Sequence, residues 1–291
     1  MIKLGALFLP AFGLLMAGCG SGATPPPSPK PAPTTSAAVV KRTPTPDATP
    51  RPMQPKTTLK TAGMIVVKKV SAFDKGTAYM RAGNSRAAQQ QFVLSIRLHQ
   101  RMADSYANLG SIALDERDAY DAFRDYQLAV QLGPNNPAYL YYAAYAALSA
   151  HDFNAAIPYV SRCLHLQPRN TAAYHLRFLA YGSLLNYRGQ VRDARALVGL
   201  APTSPVAYGD LGIALFNDRK VRQAIQAFTR AIQLHPKEVS YYINRAIAEQ
   251  FSKQTDLVLR DLRTAMSLTK DPGTRKQIEQ AIARVISGAR H

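Results

Sequence analysis

The sequence predicts an all-α solenoid, on three observations. A pattern of small, aromatic and proline residues returns every 34 residues, in unbroken phase, from residue 69 to residue 272. Inside each period the apolar residues keep helical spacing, broken once by a short polar turn and once near a proline. After the last period, Thr274 to Ser287 make one more amphipathic segment, suited to cover an open end.

Bulk composition is consistent with this. With 47% hydrophobic residues among 291, the chain can bury a sizeable core, but only 9% are aromatic and there is no Trp. Small residues at helix crossings must therefore set the packing. The formal charge of +18, from 36 Lys+Arg and 18 Asp+Glu, suits anionic partners. Two cysteines cannot form a disulfide framework. Cys163 stands in a repeat column with Ser95, Ala129, Ala231 and Ala265, so it reads as a buried small residue.

The chain opens with Lys3, an apolar run from Leu4 to Met16 that contains Pro10, and the junction Met16-Ala17-Gly18-Cys19. That run is too short to span a bilayer and reads as a signal-peptide core. Small residues directly before a cysteine resemble the lipobox of bacterial lipoproteins, with Met16 where that family usually has leucine. The resemblance implies a signal peptide over 1–18, cleavage before Cys19, and a lipid on its sulfur; a signal peptide cut elsewhere beside a bystander Cys19 is the other reading. Two or more acyl chains would anchor the protein stably. Gly20 replaces the aspartate that retains such proteins at the inner membrane, which directs the expectation to the periplasmic face of an outer membrane.

Residues 19–68 are rich in Pro, Thr, Ser and Ala, with eleven of the 20 prolines between Gly20 and Lys60. No hydrophobic period exists there to repay ordering entropy, so the segment is expected to be a disordered tether. A proline-rich ligand is the alternative. Met64 to Val67 is a short apolar run that either leads into the first repeat or covers its exposed end.

The clearest period is 103–136, with Tyr106, Leu109, Gly110, Ala122, Tyr126, Ala129 and Pro134 at characteristic positions. It resembles a tetratricopeptide repeat, with Tyr106 where that family usually has tryptophan. Six units follow from the phase: 69–102, 103–136, 137–170, 171–204, 205–238 and 239–272, with a capping helix and tail over 273–291. In the second unit one helix should run from about Asp104 to Leu114 and another from about Ala119 to Leu132, with Asp118 as cap and Gly133-Pro134 as stop. Gly110, Ala122 and Ala129 allow close approach, and Tyr106, Leu109, Phe123 and Tyr126 fill the space between helices. One helix pair cannot bury its own apolar face, so stacking supplies the core. The resemblance implies a right-handed superhelix with one concave side.

The fourth unit departs most. Gln190 occupies the small column of Ala88, Ala122, Ala156 and Ala224, and Ala194 the aromatic column of Phe92, Tyr126 and Phe228. A second helix displaced by four residues would restore the pattern, so an altered crossing is expected there, as a bend that shapes the groove; sequence drift with preserved packing is the other reading. The sixth unit puts Val258 in a small column and lacks the final proline, as suits an end unit. Beyond it, Ile278, Ala281, Ile282 and Val285 share the apolar face of the cap.

No motif carries enzymatic chemistry. The six histidines lack metal-ligand spacing, and Cys163 and His165 point apart on a helix. There is no phosphate-binding glycine loop or nucleophile elbow, and no cofactor is expected. Asp115, Glu116, Asp118, Asp121 and Asp125, interleaved with Arg117 and Arg124, read as a solvated face at a helix N-terminus.

In tetratricopeptide domains one edge of each first helix lines a groove. Projected here, the resemblance places Tyr141, Tyr145, His175, Leu179, Ile213, Phe216, Asn217, Ile243, Ile247 and Phe251 on that edge, with Tyr139 and Tyr142 leaning toward neighbouring helices. The type that grips a C-terminal carboxylate with Lys and Asn is matched only at Asn108. The expected function is a non-enzymatic scaffold, lipid-anchored in a bacterial envelope, that holds a segment of another envelope protein. Its outline is similar to pilotin-type lipoproteins of type IV pilus assembly. The alternative is a scaffold whose basic surface binds anionic lipid, lipopolysaccharide or wall polymer; nucleic acid fits the charge but not the export signal.

Overall fold

The computed structural model describes residues 70–288; the segments expected to be a signal peptide and a tether, with Cys19 and the Met64–Val67 run, lie outside them. The described residues form thirteen helices and no strand. Unit one is α1 (Ala72–Arg81) and α2 (Ser85–Arg97); unit two is α3 (Met102–Asp115) and α4 (Ala119–Leu132). Unit three is α5 (Pro137–Ser149) and α6 (Phe153–Leu166); unit four is α7 (Thr171–Ser183) and α8 (Tyr187–Leu200). Unit five is α9 (Pro205–Asn217) and α10 (Val221–Leu234), unit six α11 (Val239–Phe251) and α12 (Thr255–Leu268), and α13 (Pro272–Gly288) closes the array. Each helix packs chiefly on the one before it and the one after.

Local chemistry repeats with the unit. Asn84, Asp118, Asp152 and Asn186 each accept the backbone N–H three residues on, which caps α2, α4, α6 and α8. The turn between the two helices of a unit always has one left-handed residue at its apex: Gly83, Arg117, His151, Leu185, Arg219 or Lys253. The next N–H reaches back across it, as from Asp118 to the Ala113 carbonyl at 2.8 Å. Only Gly83 escapes the Cβ penalty. The other five carry roughly 1–2 kcal/mol each, so stacking rather than local propensity holds these turns.

Second helices stop by a different device. Gly133 is not left-handed, with φ −135°, and Gln167, Ala201 and His235 take the same conformation at the ends of α6, α8 and α10. Each precedes a proline (Pro134, Pro168, Pro202, Pro236), whose ring drives its predecessor out of the helical region. Proline is the stop, and glycine is incidental.

The core is a series of size-matched pairs between the helices of a unit. Gly76, Gly110 and Gly212 lie under Phe92, Tyr126 and Phe228, so close that an added Cβ would come within 2.5–2.8 Å of the ring. Units three and six use medium pairs, Ala144 with Val160 and Ala246 with Leu262, each buried in one cluster. Unit four reverses the sizes, with Phe178 on the first helix and Ala194 on the second. The expected displacement of its second helix is therefore absent: α8 keeps its full length and its register. Gln190 fits because Gly182 makes room, its Cβ position being only 2.5 Å from Gln190 Nε2. At the far end Ile278 and Ala281 of α13 are buried against α11 and α12, with Ile282 and Val285 beside them. No helix among the described residues is long and apolar enough to cross a membrane.

Candidate functional site

First helices form the inner side of the stack. Besides its sequence neighbours, α5 touches α7 and α9 touches α11, whereas no two second helices meet over a comparable stretch. Polar ties run along the same side. The Tyr139 hydroxyl donates to Asp104, joining α5 to α3, and His175 Nδ1 lies 3.0 Å from Asp210 Oδ2, joining α7 to α9. The hydrogen bond to Asp210 holds the His175 imidazole above its ordinary pKa, against the opposing effect of burial.

The ten projected groove residues divide in three. Tyr141, Tyr145, His175, Leu179, Phe216, Asn217 and Ile247 are half-buried, packed at their base and open at their edge. Tyr141 meets Tyr142 edge-on at 5.2 Å, and Tyr142 stacks on Tyr126 of α4 at 5.5 Å; burial pushes the Tyr141 hydroxyl up to about 12. Asn217 Nδ2 donates to Gln190 Oε1 at 3.3 Å, so its amide is held from behind. Ile213 and Ile243 depart from the projection. At 8% and 3% exposure they belong to the core clusters of units five and six, because one helical turn there packs on both neighbours. Phe251 sits at the rim, as the exposed last residue of α11, edge-on to Phe216 at 5.2 Å.

Asn108 is buried, which removes the one match to a carboxylate-gripping site. Cys163 is buried and free, its thiol pushed up to about 11 by burial. Among the described residues no three His, Cys, Asp or Glu gather as a metal site would require.

Sequence reasoning missed a buried polar network that occurs twice. Arg177 donates to both oxygens of Asp193 (2.7 and 2.8 Å) and to Ser161 Oγ at 3.1 Å, tying α7 to α8 and back to α6. Two periods later Arg245 does the same to Asp261 (2.6 and 2.8 Å) and Thr229 Oγ1 (3.0 Å), tying α11 to α12 and α10. Both arginines replace an apolar residue of the regular column, Leu109, Ala143 or Leu211. Glu249, also buried, lies 3.7 Å from the Arg245 guanidinium. Burial, then the Asp261 charge, push its carboxyl up to about 7 against the pull of Arg245. The signal was present as Arg and Asp recurring together at twice the period.

Comparison with known proteins agrees with this geometry. Residues 73–137 match the family model described as tetratricopeptide repeat. MamA from Desulfovibrio magneticus RS-1 superposes with a TM-score of 0.55 at 22% identity, over 58% of this chain and 95% of that one. The folded array is a tetratricopeptide-repeat solenoid. YrrB, a TPR protein with an unusual peptide-binding site, superposes with a TM-score of 0.55 at 15% identity, over 65% of this chain and 97% of its own. In sequence, the small glutamine-rich tetratricopeptide repeat-containing protein 2 of Mycosarcoma maydis is 27% identical over 90 residues, 31% of this chain. The match spans 26% of that relative, so the likeness is to its repeats alone. Proteins built of such repeats are typically non-enzymatic scaffolds that bind other proteins.

Proposed function

We propose that this chain is a non-enzymatic scaffold that holds an extended or helical segment of a partner protein against the inner edge of units three to six. The observation that carries the reading is the continuous run of half-buried aromatic and apolar side chains there: Tyr141, Tyr145, Leu179, Phe216 and Ile247. Their rings and branches are already ordered by packing beneath, so a partner gains apolar contact at small entropic cost. The peptide-binding site of YrrB, on the same architecture, supports a peptide as the kind of ligand. Tyr141→Ala combined with Phe216→Ala is expected to abolish crosslinking of a partner from position 145 in cells while leaving helicity unchanged. Undiminished crosslinking would show that these two rings do not carry the binding.

The cellular setting is part of the same proposal. The Met16-Ala17-Gly18-Cys19 junction supports a lipid anchor in a bacterial envelope, facing the periplasm from the outer membrane, with an envelope protein as partner and pilus or secretion assembly as the process. Cys19→Ser is expected to release the chain from membranes; detergent-dependent fractionation that does not change overturns the anchor. The charge of +18 favours a second reading, a basic surface bound to anionic lipid, lipopolysaccharide or wall polymer. Salt separates the two, since charge-driven binding weakens steeply as ionic strength rises and apolar groove binding persists.

A further inference from the structure

Tyr120, Phe251 and Leu185 are 75%, 70% and 67% exposed, more than any other large apolar side chain among the described residues. All three lie at or within two residues of the turns between the first and second helix of a unit: Leu185 in its turn, Tyr120 in the first turn of α4 and Phe251 at the end of α11. Leu185 is the apex of the unit-four turn, held in the left-handed region with φ 56°. A bulky branched side chain is costly there, and in solvent it gains nothing in return.

Charge divides along the same edge. The unit-two turn carries Asp115, Glu116, Asp118 and Asp121 around Arg117, with Tyr120 among them. The unit-five turn carries Arg219, Lys220 and Arg222 beside Asp218, and Lys253 stands on the next turn. Between units five and six the edge opens into a notch of about 790 Å³, lined by Arg219, Lys220 and Arg222 together with Val221, Ile225 and Phe251. Gln223, Gln226, Ser252 and Gln254 complete the lining. A mixed, basic notch with Val221, Ile225 and Phe251 in its wall is complementary to a tyrosine set among carboxylates, which brings a ring, a hydroxyl and the opposite charge.

We propose that this edge pairs with the same edge of a second copy of the chain about a twofold axis, Tyr120 of each copy seated in the notch of the other. With the axis between the turns of units three and four, unit two of one copy faces unit five of the other, and the acidic turn meets the basic one twice. The same operation brings the two exposed Leu185 side chains toward the centre. Opposite charges that meet twice about one axis are what a self-complementary interface requires. The pairing uses the turn edge, which meets the groove proposed for a partner segment only at Phe251, where that ring lies edge-on to Phe216.

The test is sedimentation of the full-length chain in mild detergent over a range of concentration and salt. A dimer that dissociates on dilution and as salt rises is expected. Glu116→Arg and Arg222→Glu should each weaken it by at least about tenfold, and the two swaps in one chain should restore it. Both place a charge that its own helix end favours, so neither should unfold the protein. Leu185→Gly should weaken pairing while the melting temperature holds or rises, because glycine enters the left-handed region freely. A chain that stays monomeric at every concentration overturns the proposal, as do open-ended assemblies, or a swapped pair no better than the worse single variant. A monomeric chain whose retention by anionic phospholipid vesicles is lost in Arg222→Glu would assign the notch to lipid instead.

Discussion

Gly110→Leu is expected to destabilise the array by about 3 kcal/mol, the upper end of overpacking costs. A Cβ at this position would sit 2.8 Å from the Tyr126 ring and 3.2 Å from the Ala122 carbonyl. Tyr126 cannot swing away, because it is wholly buried and stacked on Tyr142 of the next unit. The carbonyl belongs to a helix backbone and cannot yield locally. Alanine, which regains about 1 kcal/mol of helix propensity, should cost less than leucine but still melt below the native chain. Unit four suggests the rescue. Gly110→Phe with Tyr126→Ala copies its Phe178 and Ala194 arrangement and should recover most of the loss. In a folded region of this size each kcal/mol lowers the melting temperature by about 2–4 °C, so thermal denaturation resolves all of these variants. A Gly110→Leu chain that melts with the native one would show that the two helices of unit two do not meet at this residue.

What could be read from sequence follows from what repeats. The phase, the helix pairs and the capping helix are legible because a solenoid repeats one packing problem, and small residues mark each crossing in the same column. The fourth unit misled because its two columns changed together. Ala194 alone suggests a missing aromatic and a shifted helix; Ala194 with Phe178 is a volume-conserving exchange that leaves the helices in place. The groove edge was legible to the helical turn but not to the residue. Ile213 and Phe216 are three apart on one helix face, yet Ile213 is buried and Phe216 half-open, since the curvature of the stack decides how far round each helix the neighbours reach. The buried networks escaped because arginine and aspartate read as surface residues until the structure shows that Arg177 and Asp193 face each other inside.

Removing a guanidinium from these networks is the other large effect. Arg177→Met leaves the Asp193 carboxylate buried without its bidentate partner, and breaking a buried pair from one side costs roughly 3–5 kcal/mol. Lysine should not rescue it, since an ammonium cannot satisfy both carboxylate oxygens and Ser161 in the planar fork that Arg177 supplies. Arg177→Met with Asp193→Leu removes both charges together and should recover most of the loss, which identifies the orphaned carboxylate as the cause. Position then decides how the damage spreads. Arg177 ties unit four to unit three in the middle of the array, so its loss should weaken both flanks and lower the whole transition. Arg245 ties the terminal unit, where nearest-neighbour coupling predicts local loss. Arg245→Met should therefore deprotect α11 to α13 in hydrogen exchange while α3 to α8 keep their protection. This variant also carries a pH signature. Glu249 already has its folded-state pKa raised to about 7, so it takes up a proton on folding and costs stability as pH rises from the ordinary carboxylate range through 7. Without Arg245, Glu249 loses its nearest counter-charge, and its folded pKa must rise further. The destabilisation of Arg245→Met should accordingly be large at pH 8 and shrink toward pH 5. A deficit that is constant across that range would mean that Glu249 is solvated, and that the terminal unit is held by its apolar face alone.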